Sequence, residues 1–129
     1  MIRINLSTAL VVALSAIVVT TAPGQASEAP PPAGAEKVRE QPRGGGTHTL
    51  YRSTEAAGDV IRAYQATLQS DGWTIVSSGG GGGGGSYGGG GGLTATKGAQ
   101  YLVLSAGGPV GSTNIDLCVW PTRPADDDC

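Results

Sequence analysis

His48 is the only histidine in the chain. It is therefore the one side chain whose ordinary pKa suits acid–base work near neutrality. Such work needs an acid or a nucleophile within hydrogen-bond reach. Ser53, Ser105 and Ser112 are available, but none stands in a Gly-x-Ser-x-Gly elbow. His48 opens a strand beside a glycine tract, so an exposed edge-strand position is expected, and a small hydrolase using His48 is kept only as a second alternative. From Gly79 to Gly92 only Ser86 and Tyr87 are not glycine. Phosphate-cradling loops use glycine so that backbone N–H groups can close on an anion. Those loops open a helix, and the mononucleotide type ends in Gly-Lys-Ser/Thr. This run leads into a strand and lacks the lysine, so no nucleotide is expected there. It reads as a disordered hairpin loop, either a spacer or an arm with Tyr87 as its contact side chain. Asp126-Asp127-Asp128 is consecutive, whereas calcium loops alternate their ligands, and it reads as a solvated tail.

Cys118 and Cys129 are the only cysteines. Two thiols and one distant histidine do not make a zinc site, so no metal and no cofactor are expected. In an exported chain an even pair reads as an intramolecular disulfide. Thr113 to Trp120 alternates strictly. Ile115, Leu117 and Val119 face one way, and Asn114, Asp116, Cys118 and Trp120 face the other. A tryptophan beside an acid on an open sheet face can hold a sugar or a peptide, so Trp120 and Asp116 join Tyr87 as candidate partner contacts. The competing reading is a disulfide that draws Pro121-Thr122-Arg123-Pro124 across that face, and the side-chain alternation favours this cover.

These residues must be carried by what lies around them. Met1-Ile2-Arg3, an apolar block from Leu6 to Val19 and a small-residue exit read as a secretory signal peptide cleaved after Ala26. The block has 14 residues, short of the about 20 a spanning helix needs. No stable membrane span is expected after cleavage, and the location is extracytoplasmic, in the periplasm or secreted. Removing residues 1–26 leaves seven basic against ten acidic residues, a net charge of −3. That balance argues against nucleic acid, which needs a concentrated basic surface.

Residues 27–46 are proline- and glycine-rich with mixed charges and no apolar face, and are expected to be a disordered leader. His48-Thr49-Leu50-Tyr51-Arg52 reads as a strand. A helix follows, with Ser53 or Thr54 as N-cap and Asp71-Gly72 at its end. Ala57, Val60, Ile61, Tyr64 and Leu68 form its apolar stripe. Trp73–Val76, Leu93–Thr96, Gln100–Leu104 and Thr113–Trp120 read as strands, with turns at Lys97-Gly98 and at residues 107–111. The expectation is an α+β domain over residues 47–120, in two layers. One helix lies on a four- to five-stranded, mainly antiparallel sheet in the order β-α-β-β-β-β. The tail, residues 121–129, is tethered by the disulfide.

Tyr64, Leu68, Gly72 and Trp73 form an aromatic–xxx–Leu–xxx–Gly–Trp pattern, and Lys97-Gly98 makes a turn between later strands. On these residues the segment 47–120 resembles uncharacterised families of small exported bacterial α+β domains. The resemblance implies an envelope-associated fold and no specified activity. The leading expectation is a non-catalytic domain that binds another envelope component, a protein or a glycan. The first alternative is a purely structural exported domain without a ligand site.

Overall fold

A computed structural model describes residues 29–81 and 87–129, without the side chains of residues 81, 87 and 88. The expected signal peptide and its cleavage site fall outside the described residues. The chain runs β1 (Glu36–Arg43), β2 (Gly46–Ser53), α1 (Ala57–Ser70), β3 (Thr74–Gly81), β4 (Tyr87–Lys97), β5 (Gln100–Pro109) and β6 (Thr113–Trp120). The six strands form one antiparallel sheet in the order β1-β2-β6-β5-β4-β3. One helix lies on this sheet, so the two-layer α+β class holds with one strand more than the upper expectation.

The helix buries Ala57, Val60, Ile61, Tyr64 and Leu68, the stripe expected from their spacing of three and four. Its N-cap is Ala56 rather than Ser53 or Thr54, and no side chain caps it. The Ser53 hydroxyl is committed elsewhere, and the carbonyl of Glu55 is held by β6. Ser53 Oγ accepts the Glu55 N–H at 3.1 Å, and the Thr113 hydroxyl donates to the Glu55 carbonyl at 2.6 Å. Those bonds hold the entry chain on β6 and delay the helix to Ala57. At the other end Gly72 takes φ +89°. The Gly72 N–H reaches the Gln69 carbonyl at 3.2 Å and the Trp73 N–H reaches the Leu68 carbonyl at 2.9 Å. This is a Schellman end, and it gives the Leu–xxx–Gly–Trp pattern a physical reason. Glycine supplies the left-handed residue, and Leu68 and Trp73 close the motif inside the same core.

Ile115, Leu117 and Val119 lie in that core with Leu93, Leu102 and Leu104. Cys118 and Trp120 lie in a second cluster with Tyr101, on the opposite face. The alternation read along β6 is therefore observed, and β6 keeps the expected bounds.

Two expectations of disorder are corrected. Residues 36–43 are not part of a loose leader but form β1, paired along β2 from Glu36↔Arg52 to Arg43↔Gly46. Gly44 and Gly45 carry φ +52° and +83°. Positive φ at both residues of a two-residue loop is the I′ hairpin geometry, which Gly-Gly meets without strain. All of β1 is exposed, so it has no apolar face to announce it. The segment before it is also engaged. Ala29 and Ala35 pack on the core, and the Tyr64 hydroxyl donates to the Pro30 carbonyl at 2.8 Å.

The glycine run is the second correction. Gly79, Gly80 and Gly81 pair with Gly92, Gly91 and Gly90, extending the β3–β4 hairpin into the run. Glycine permits the close fit. A Cβ at Gly91 would collide with the Gly79 carbonyl, and one at Gly80 would sit 3.4 Å from Ile61 Cδ1 of the helix. Of the expected loop, residues 82–86 lie outside the described residues. The turn expected at residues 107–111 shifts as well. β5 continues to Pro109, and the Ser112 N–H bonds the Pro109 carbonyl at 3.0 Å across Val110 and Gly111.

Candidate functional site

The sheet's outer face, away from the helix, holds most of the chemistry-bearing residues. His48, Cys118 and Val103 stand in one cross-strand row of β2, β6 and β5. Leu50, Asp116 and Ser105 stand in the next. His48 is not an exposed edge residue. β1 lies outside β2, the tail lies over the adjoining strand, and the side chain is buried. One ring nitrogen, Nε2, meets Asp116 Oδ1 at 2.7 Å, and the other, Nδ1, meets Gln41 Nε2 at 3.2 Å. With Gln41 donating to Nδ1, the Nε2–H donates to the carboxylate.

An acid–histidine pair is half of a catalytic triad. The other half needs a hydroxyl on the remaining nitrogen, and here that position faces an amide. Ser105 stands across from Asp116 on β5. The acid therefore lies between the serine and the imidazole, the reverse of the order a general base requires. Ser53 is used at the helix entry, and Ser112 sits in the β5–β6 turn.

The Cys118–Cys129 bond is present, with Cα atoms 5.8 Å apart. It folds the tail back as the alternation favoured. Arg123 lies over the Tyr101 ring at 5.4 Å, and the Tyr101 hydroxyl donates to Asp127 Oδ2 at 2.9 Å. Burial, then the bond to Asp127, pushes the Tyr101 phenol above its ordinary pKa. Asp127 is thus a tail anchor. Trp120 is only 2% exposed. Its indole donates to the Arg43 carbonyl at 3.0 Å, and it lies close against Gly46. It cannot serve as the exposed partner contact expected of it. Asp116 keeps partial exposure but is occupied by His48. Tyr87 opens β4 opposite Pro109, and its side chain lies outside the described residues.

The histidine described as distant is not distant. A ring nitrogen of His48 and the two sulfurs lie within 4.8 Å of one another. The register His48↔Cys118 brings them together, and nothing in the sequence spacing of 70 residues reveals it.

A second feature lies on the helix side. The helix packs mainly on β3, β4 and β5. Over β1, β2 and β6 the same face is left to the segment 29–35 and a cleft of about 420 Å³. Leu117 and Val119 line its apolar side, and Thr47, Thr49 and Tyr51 line it with hydroxyls. Lys37 and Glu40, paired at 2.7 Å, stand on β1. Burial raises the Tyr51 phenol above its ordinary pKa. Sequence reasoning missed this cleft because it took β1 for a leader. The Gly44-Gly45 hairpin signal between two polar runs was the available clue.

Among the described residues no helix is long and apolar enough to cross a membrane. No family model, no curated protein and no solved structure matches the chain.

Proposed function

We propose that this is a non-catalytic extracytoplasmic domain that binds an extended peptide segment of another envelope protein in the cleft over β1, β2 and β6. The observation that carries this reading is the half-covered face. A helix stops short of the sheet's edge and leaves a cleft of about 420 Å³, within the range of ligand sites at roughly 300–1,000 Å³. The chain itself displays the occupant's chemistry. At the margin of the cleft Ala29-Pro30-Pro31-Pro32 lies against the core, with Pro32 buried and the Pro30 carbonyl held by a tyrosine hydroxyl. Aromatic surfaces with a hydroxyl at their rim bind such extended, apolar chains, whose low entropy reduces the ordering cost. Tyr51, Thr47 and Thr49 offer the same combination beside it.

The signal-like N-terminal segment and the disulfide support a place outside the cytoplasm. A glycan remains the alternative ligand, and a purely structural domain the alternative role. The hydrolase reading gains an acid for His48 but no nucleophile placed to use it. Thr47→Trp, which fills the cleft, should abolish capture of the partner from envelope extracts without lowering the melting temperature. Undiminished capture by a stably folded Thr47→Trp would remove the cleft from the account.

A further inference from the structure

We infer that, once the Cys118–Cys129 bond is reduced, the two thiolates and the His48 imidazole form a site for a thiophilic divalent cation of the zinc class. The three donors already lie within 4.8 Å of one another. At Zn–S of about 2.3 Å and Zn–N of about 2.0–2.1 Å, a tetrahedral centre spaces its donors at roughly 3.5–3.8 Å. Reduction frees the sulfurs to move apart to that spacing, while the backbone ladder keeps His48 opposite Cys118.

The imidazole is prepared for this role. A metal-bound histidine is oriented through its other ring nitrogen, held by a carboxylate or similar group. Here each nitrogen already has such a partner, Asp116 at Nε2 and Gln41 at Nδ1. With the Nε2–H on Asp116, Nδ1 carries the lone pair, so a cation would displace Gln41 from Nδ1 while Asp116 keeps Nε2 held. His48 and Cys118 are buried and Cys129 is half-buried. The sulfurs are thus shielded, with partial solvent access at Cys129. Cys₂His with an open fourth position is a known arrangement for zinc.

The chemistry balances simply. A dithiol reductant delivers two electrons and two protons to the protein disulfide and becomes a disulfide itself. Metal binding then expels the two thiol protons. The site is therefore absent in the oxidised protein and present in the reduced one.

The test uses the full chain and cobalt(II) as the probe, because tetrahedral thiolate–cobalt centres absorb visibly. The reduced protein, its fold checked by circular dichroism, should bind one equivalent with thiolate-to-cobalt charge-transfer bands. The oxidised protein should show none. Reduced His48→Gln keeps a polar side chain of similar length, and should bind at least about tenfold more weakly, since loss of even an outer-shell partner costs about 10–100-fold. Equal affinity of His48→Gln and wild type would overturn the inference. So would a reduced wild type that unfolds, or one that folds and shows no charge-transfer band.

Discussion

Replacing Cys129 with serine tests the covalent staple with a magnitude that follows from the chain. Cys118 and Cys129 are separated by 11 positions. For a closed loop of that size the chain-entropy relation gives about 2.8 kcal/mol at 25 °C. The tail contributes little else. The Tyr101–Asp127 bond and the Arg123 contact with Tyr101 are the other ties from its described residues to the sheet, and both are partly wet. In a domain of roughly 100 residues, 1 kcal/mol moves the melting temperature by about 4–8 °C. Cys129→Ser should therefore melt about 10–20 °C below wild type under oxidising conditions. Thermal scans and urea titrations, run with a chelator so that no metal bridges the thiols, measure this. With reductant added, wild type should fall onto the curve of the variant. Equal melting without reductant, or two free thiols in the oxidised protein by mass spectrometry, would refute the reasoning. A difference that survives reduction would place the effect in packing around the side chain instead of in the bond.

Leu68→Ala removes a fully buried side chain at the Schellman end, and should cost about 2–5 kcal/mol in urea titration, against below ~1 kcal/mol for a surface leucine. Gly91→Ala should lose about 1–3 kcal/mol, because its Cβ meets the Gly79 carbonyl; a variant as stable as wild type would mean the glycine hairpin is not closely paired. Burial, followed by nearby Tyr51 and Asp71, pushes the Tyr64 phenol well above its ordinary value near 10. The folded state then holds a proton that the unfolded chain releases. Stability is complete below about pH 10 and falls as pH rises, and Tyr64→Phe should flatten that slope by up to about 1.4 kcal/mol per pH unit. Protein recovered from outside the cell should begin at Ser27 by N-terminal sequencing.

What the sequence made legible was whatever buries a side chain with a regular period. The stripe from Ala57 to Leu68 and the alternation from Ile115 to Trp120 both need a core, and the core leaves its period in the residue types. β1 has no buried side chain, so its pairing rests on backbone bonds that no pattern of Glu, Lys and Arg reports. The paired glycines at 79–81 and 90–92 fail to show for the same reason, since a residue without a side chain cannot alternate. The site depended on what was missed. With β1 absent, His48 reads as an edge residue; with β1 present, it is enclosed and paired to Asp116. The cleft, too, exists only because β1 and the segment before it complete that half of the sheet. Trp120 was placed on the correct face by alternation, but the depth of its cover depended on the hairpin end at Arg43–Gly46.

Site-directed photocrosslinking tests the central claim, that a peptide partner occupies the cleft. A benzophenone amino acid at Glu40, exposed on β1 beside the cleft, is compared with one at Gln69 on the helix's exposed side. Both variants are irradiated in the native envelope. One discrete adduct is expected from Glu40, resolved by mass spectrometry as a peptide of another protein, lost when Thr47→Trp is added and absent from Gln69. An adduct on glycan would replace the peptide reading. Identical adducts from both positions, or none from Glu40 in an envelope where the protein is abundant, would contradict the binding role.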